Sequence, residues 1–319
     1  MKHYFILNPV AGQGKAPGLE KKIWQAADRE GTEPVIHITT APGDGEEYVR
    51  RICSERQNTD ETELLRFYAC GGDGTLNEVV NGAFGAAGVE VGNIPVGTGN
   101  DFIRNFDKAG DFRDITLQMR SGSSWCDLIH YEGICDGEAV SRYCVNMFNI
   151  GFDCNVVDKT AALKKKPLMS GTIAYLAGVG IMLLRKEGAE LKVGYEDGSD
   201  YSGRLLLIAV ANGCYCGGGV KGIPKAVTDD GLMDVSLVKD TTRRNFVCLF
   251  PKYSKGTHLE DKRAQKIVSY RKCRRLVISP AGETMKLCVD GEITHAKRTE
   301  FEIAPRAFRF IQPGLPKTE

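Results

Sequence analysis

Three short segments of the chain combine glycine with hydroxyl, amide and carboxylate side chains, each directly after a strand-like run. Asn8-Pro9-Val10-Ala11-Gly12-Gln13-Gly14-Lys15 follows the first such run. Gly71-Gly72-Asp73-Gly74-Thr75-Leu76-Asn77-Glu78 follows the third, and Pro95-Val96-Gly97-Thr98-Gly99-Asn100-Asp101 the fourth. Glycine lets a backbone approach an anion closely and adopt positive φ. Consecutive N–H groups then point at phosphate oxygens, aided by the N-terminus of the helix behind them. Thr75 and Thr98 add hydroxyl donors. One such loop also serves as an ordinary tight turn, whereas three converging on one sheet edge point to a polyphosphate ligand. None of the three loops has the Walker ending Gly-Lys-Ser/Thr or the Rossmann Gly-x-Gly-x-x-Gly, so another scheme holds the phosphates.

The elements that position these loops follow from periodicity. Tyr4–Leu7, Val35–Thr39, Leu64–Ala69 and Val91–Pro95 read as strands; Leu19–Arg29, Glu46–Ser54 and Leu76–Phe84 read as helices. Strands alternating with helices at this spacing predict a parallel α/β layer, whose ligands sit at the carboxyl ends of the strands. After Trp125 the texture changes. Tyr143–Ile150, Arg204–Ala211, Leu232–Val238, Arg275–Ile278, Met285–Val289 and Glu300–Ile303 are rich in β-branched and aliphatic residues between turn residues. They predict a mainly antiparallel β-sandwich, with one helical interruption at Ile173–Leu184. The last strand, Ala307–Ile311, is expected to return to the first domain. The domains are therefore 1–125 with about 306–319, and 126–305.

The bulk properties bound the function. A length of 319 residues suits two domains, and a net charge of +1 gives no global steering toward nucleic acid or membrane. The 11 cysteines are odd in number and scattered, and Lys2–Leu7 runs straight into a strand, so reduced thiols in a cytoplasmic protein are expected. Cys214-x-Cys216 is not a usual zinc half-site. The apolar stretch Ile173–Leu184 falls short of the roughly 20 residues a membrane span needs.

At this point the motifs carry a resemblance. Asn8-Pro9-x-x-Gly12, Gly71-Gly72-Asp73-Gly74-Thr75 and Pro95-x-Gly97-Thr98-x-Asn100-Asp101 resemble the diacylglycerol kinase catalytic superfamily. Its sphingosine and ceramide kinases and bacterial lipid kinases share the pattern. The Gly-Gly-Asp-Gly-Thr core also resembles NAD kinases and 6-phosphofructokinases, which implies an α/β layer of their kind. The Asn8-Pro9-x-x-Gly12 start argues for the lipid branch, and so does the second half. Gly217-Gly218-Gly219 through Ile223-Pro224-Lys225-Ala226 to Asp230-Gly231-Leu232-Met233-Asp234-Val235, and Val289-Asp290-Gly291-Glu292, are similar to the family's later signatures.

The resemblance implies ATP-dependent, Mg2+-requiring phosphorylation of a membrane lipid hydroxyl, with diacylglycerol the first candidate acceptor. It implies nucleotide contacts at Asn8, Pro9, Val10, Ala11, Gly12, Thr39, Gly71, Gly72, Asp73, Gly74, Thr75, Leu76, Asn77 and Thr98; Thr40 is chemically equal to Thr39. It implies a catalytic base from Asp290-Gly291-Glu292. Two residues apart on a strand or turn, both acids would face one side, and the residues alone do not separate them, although Asp290 is favoured for contact with the reacting centre; the other reading is an ordinary Asp-Gly turn with a solvated Glu292. It implies a structural Mg2+ held by Asp230 and the carbonyls of Val227 and Leu232. Asp73 is an acid in a phosphate loop, counted with Asp290 and Glu292 as catalytic and expected in a network with a metal or Lys15 that shapes the site, and Asp101 is a candidate to join it.

Residues 239–275 carry twelve Lys and Arg against three Asp and Glu, with Phe246, Leu249, Phe250 and Tyr253 interleaved. Such a run either docks peripherally on anionic lipid at the inner face of the membrane or is a solvated face. Without a nucleic-acid motif, RNA or DNA is not an expected partner. A homodimer is the default for a cytosolic enzyme of this type. Three alternatives remain: a kinase of another lipid such as phosphatidylglycerol or a sphingoid base, an NAD kinase-like kinase of a soluble acceptor, and a nucleotide-binding regulator without catalysis.

Overall fold

Phe5, Ile6 and Leu7 are apolar in succession and all buried, as a strand covered on both faces requires. They close β1 (Lys2–Leu7) in a computed structural model that describes residues 1–13, 17–57, 63–97, 99–152, 154 and 188–317. The chain divides into two compact units, Met1–Asp127 with Pro305–Glu319, and Leu128–Ala304.

The first unit is α/β. β1 pairs in parallel with β2 (Pro34–Ile38) on one side and β3 (Leu65–Gly71) on the other. β3 pairs in parallel with β4 (Val89–Pro95), and the end of the last strand adds beyond β4 through Arg309↔Glu90 and Phe310↔Val91. Helix α1 (Pro17–Glu30) and helix α4 (Ile115–Arg120) share one core with Phe5, Leu7, Tyr68, Cys70 and Ile94. Helix α2 (Asp44–Gln57) approaches the opposite side chain of β1, since a Cβ on Gly45 would lie 3.2 Å from Ile6. Helix α3 (Asp73–Ala83) packs so closely on α2 that a Cβ on Gly82 would lie 2.6 Å from the Glu46 carbonyl oxygen. The alternation of Phe5 and Leu7 against Ile6 thus sends side chains to two helical layers.

The second unit is almost all antiparallel. Its strands are β5 (Ser123–Cys135, entering from the first unit), β6 (Glu138–Cys144), β7 (Met147–Gly151), β8 (Ala189–Tyr195) and β9 (Asp200–Ala211). After them come β10 (Met233–Lys239), β11 (Val268–Cys273), β12 (Arg275–Pro280), β13 (Met285–Val289) and β14 (Glu292–Ile311). β9 and β14 are long enough to serve two neighbours in succession. β9 pairs with β8 over its first half and β7 over its second, and β14 pairs with β13 and then β12. These two strands join the sheets of a sandwich around Phe148, Ile150, Val193, Ile208, Val235, Leu276, Leu287 and Phe301, all buried. Helix α5 (Arg243–Lys255) is capped by the Thr242 hydroxyl and ended by left-handed Gly256.

The architecture is the expected one, and the differences lie in the strands. Tyr143–Ile150, expected as one strand, is two, broken at Val145-Asn146. Ala307–Ile311, expected as a separate return, is the end of the 20-residue β14. The helix expected at Ile173–Leu184 lies outside the described residues.

Candidate active site

In the first unit the three glycine loops meet at the carboxyl ends of β1, β3 and β4. The Asn8 N–H donates to the Cys70 carbonyl at 3.1 Å, carrying the β1–β3 pairing one residue further. Its side chain then works both ways: Oδ1 accepts from the Val10 N–H at 3.1 Å, and Nδ2 donates to the Thr75 hydroxyl at 3.2 Å. The Ala11 N–H closes the turn on the Asn8 carbonyl at 3.2 Å, and Gly12 follows at φ 65°. Pro9 lies within this turn, and Val10 is 82% exposed.

The second and third loops lean on each other. The Gly71 carbonyl accepts from the Val96 and Gly97 N–H groups at 3.0 and 3.1 Å. A Cβ on Gly97 would sit 2.6 Å from the Gly72 Cα, and one on Gly71 would sit 2.1 Å from the Thr75 hydroxyl. Glycine is therefore required at both positions by contact. Gly72 is the extended residue that opens α3, with Asp73 and Gly74 in its first turn.

Asp73 accepts from the Asp101 N–H at 3.0 Å on both carboxylate oxygens and from the Phe102 N–H at 3.2 Å. The acid expected to meet a metal or Lys15 receives backbone donors from the loop after β4. Lys15 and Thr98 lie outside the described residues. Asp101 joins through its backbone, and its carboxylate faces Arg104 at 3.4 Å. Leu76 is buried in the core, and Asn77 accepts from the Asn81 amide on both its carbonyl and its side-chain oxygen.

Thr39 directly follows β2, its N–H on the Leu7 carbonyl at 2.9 Å, while Thr40 is bound at both N–H and hydroxyl by Asp44. Those bonds hold the Asp44 carboxyl down to about 2. Glu78, outside the expected set, accepts from the Gly43 and Gly45 N–H groups at 2.9 and 3.2 Å and anchors the start of α2. Its last place in the second motif was the only sequence signal.

In the second unit Asp290 and Gly291 form a two-residue hairpin turn, with φ 46° and 97°, between Val289 and Glu292. Aspartate tolerates this left-handed backbone better than most residues. The Asp290 carboxylate accepts from the N–H groups of Val145 at 2.8 Å, Asn146 at 2.9 Å and Met147 at 3.1 Å. The Cys144 thiol donates to it at 3.1 Å, and burial, then the Asp290 charge, push that thiol well above its ordinary pKa. Glu292 begins β14 on the exposed side. Asn146 and Asn212, both buried and both missed in the sequence, lock the neighbouring chain. The Asn146 amide donates to the Tyr215 carbonyl at 2.8 Å and the Asn212 amide to the Val145 carbonyl at 2.9 Å.

Between Cys216 and Val220, which form an isolated bridge, Gly217, Gly218 and Gly219 all take positive φ. Further on, the loop 227–232 contains the oxygens expected to hold a metal. Asp230 Oδ1 accepts from the Leu232 N–H at 3.1 Å, and Oδ2 accepts from the Lys272 ammonium at 2.7 Å. Mg2+ demands a near-octahedral shell of oxygens. The Lys272 ammonium sets a positive charge on the carboxylate oxygen a divalent ion would use, so the residues present do not fit such an ion at Asp230, whatever the Val227 and Leu232 carbonyls could add. Among the described residues no three His, Cys, Asp or Glu side chains are grouped to hold a metal ion.

The basic run is dispersed. Phe246, Phe250 and Tyr253 of α5 pack against the core of the second unit rather than interleaving with cations at the surface. Lys252 and Arg263 pair with Asp261, Arg271 with Asp197, and Arg275 with Glu302. Arg243, Arg244, Val247 and Lys255 face outward on α5. Among the described residues no helix is long and apolar enough to cross a membrane.

An α/β unit with three phosphate-type loops and a β-sandwich carrying an acidic hairpin define a kinase architecture, and comparison with known proteins agrees. Residues 2–129 match the diacylglycerol kinase catalytic domain, and residues 146–312 match the YegS C-terminal NAD kinase beta sandwich-like domain. A "Probable lipid kinase YegS-like" of Pseudomonas aeruginosa PAO1 is 30% identical over 304 residues, 94% of this chain and 92% of that protein. A diacylglycerol kinase of Bacillus subtilis is 26% identical over 316 residues, 98% of this chain and 95% of that protein. A solved diacylglycerol kinase of Bacillus anthracis has the same fold, at TM-score 0.68 and 22% identity, covering 98% of this chain and 97% of that one. The chain belongs to the bacterial branch of the diacylglycerol kinase catalytic superfamily, and it is a lipid kinase.

Proposed function

We propose that this enzyme transfers the γ-phosphate of ATP to a hydroxyl of a membrane lipid, diacylglycerol first, yielding phosphatidic acid and ADP. The acceptor oxygen bonds to the γ-phosphorus, the bond from that phosphorus to the β–γ bridging oxygen breaks, and the proton passes to a carboxylate. Mg2+ enters with ATP as part of that substrate and offsets charge on its phosphates. The backbone N–H groups of the glycine loops and the hydroxyl of Thr75 bind the phosphates.

We assign the proton to Glu292, and the observation that carries this is the saturation of Asp290. Protonating Asp290 would cost it bonds from three backbone N–H groups of one short segment. Its work is to fix residues 144–147, and Glu292 follows it on the same hairpin. Support for diacylglycerol as acceptor comes from the name of the Bacillus subtilis relative. Phosphatidylglycerol and a sphingoid base are the next acceptors to test. Docking on anionic lipid through Arg243, Arg244 and Lys255 is a second part of the reading; vesicle binding should rise with phosphatidylglycerol content and collapse at high salt.

The deciding experiment follows labelled phosphate from ATP into lipid presented in detergent micelles, with diacylglycerol, phosphatidylglycerol and sphingosine in separate reactions. An organic-phase product from diacylglycerol, lost in Glu292→Gln, supports the proposal. Product from another lipid alone replaces the acceptor. Tight ATP binding with no lipid product defeats it.

A further inference from the structure

We infer that the resident cation of the loop 227–232 is the ammonium group of Lys272, so the loop is set without a divalent metal. Lys272 stands directly opposite Asp234 in the antiparallel register of β10 and β11. Its position is thus dictated by the ladder. Its ammonium donates to Asp234 Oδ2 at 2.7 Å and to Asp230 Oδ2 at 2.7 Å.

Asp234 is 0% exposed, and a buried carboxylate survives only with a partner charge and filled hydrogen bonds. It has both, because the Tyr270 hydroxyl donates to its other oxygen at 2.7 Å. Tyr270 lies two residues before Lys272, on the same face of β11. One strand face therefore supplies both side-chain partners of Asp234, and Lys272 reaches on from it to Asp230.

The charge count points the same way. Two carboxylates and one ammonium sum to −1. A divalent ion at Asp230 would sit beside an ammonium already bound to the same carboxylate oxygen. Remove the lysine charge and two acids face each other across the space it filled, which is the composition of a hard-cation site. The inference rests only on the second unit and does not depend on which acceptor the enzyme phosphorylates.

The test is thermal unfolding of the nucleotide-free full chain in EDTA and in MgCl2, for the native protein, Lys272→Met and Asp230→Asn. The native protein should show no Mg2+ response that Asp230→Asn abolishes. Lys272→Met should melt roughly 5–15 °C lower in EDTA and regain part of that loss with Mg2+. A native melting temperature that rises saturably with Mg2+, with the rise gone in Asp230→Asn, overturns the inference. So does Lys272→Met melting with the native protein. If Lys272→Met does not fold, Lys272→Arg decides. Keeping the cation, it should melt close to the native protein without responding to Mg2+, and an Mg2+ response there overturns the inference.

Discussion

Asp73 in the first unit and Asp290 in the second do the same job by different means. Each is an acid inside a glycine-rich motif, and each spends its carboxylate on backbone N–H groups of another loop. Asp73 reaches 28 residues along the chain from the first turn of a helix, where a negative charge is favoured. Asp290 reaches back 145 residues from a left-handed turn position. The first clamp is built on regular secondary structure and the second on a strained-prone turn. An acid in a motif is therefore not by that fact a chemical group; what decides is how many of its lone pairs the fold has already filled.

The comparison fails outright if Asp290 is the proton acceptor. Glu292→Gln should lower kcat by about 10²–10⁴-fold, the usual weight of a general base, while the melting temperature stays within about 2 °C. Retention of activity within tenfold would return the role to Asp290. Next in size, Asp290→Ala should cost about 3–5 kcal/mol in chemical denaturation, because buried donors lose a charged acceptor. Asp290→Asn keeps a residue that tolerates positive φ and should recover a minority of that loss; full recovery would mean the turn, not the charge, is what matters.

A pH titration sharpens the contrast between units. His3 in the first and His258 in the second are both buried, and burial holds each near a pKa of about 4. The unfolded chain takes up protons near 6.5 that the folded chain refuses. Stability should thus be full above pH 6.5 and decline as pH falls toward 4, by about 3 kcal/mol for each histidine. His258→Leu should flatten only the share of the second unit; an unchanged slope would refute this. Asp73→Ala should cost less than Asp290→Ala, at about 2 kcal/mol, since water can partly replace a partly exposed carboxylate. Its main effect should be a raised KM for ATP as the loop around Asp101 loosens. An unchanged KM would detach the clamp from nucleotide binding.

Much of the architecture was legible because its cause is local. Strand–loop–helix spacing marked β1, β3 and β4 and the loops that follow them. Asp-Gly between Val289 and Glu292 is a strong hairpin signal, and the turn is there. What escaped has distant causes. Tyr143–Ile150 reads as one β-rich run, and its break at Val145-Asn146 exists because Asp290 takes those N–H groups. The partners of Asp73 are backbone groups, which carry no side-chain signature. Lys272 looked like one cation among twelve until the β10–β11 register set it against Asp234. The aromatic residues of α5 alternate with basic ones in sequence but share a helical face that packs on the sandwich.

Strand β14 has a consequence for how the protein is made. Its end pairs with β4, and Phe308, Phe310 and Ile311 are buried in the first unit, with Phe310 against Phe102, Phe106 and Phe112. The ribosome delivers those residues only after the whole of Leu128–Ala304. Until then the free edge of β4 and an unfilled aromatic cluster wait on the nascent chain. A pause in translation within the second unit therefore exposes the first to chaperones, proteases and edge-to-edge pairing.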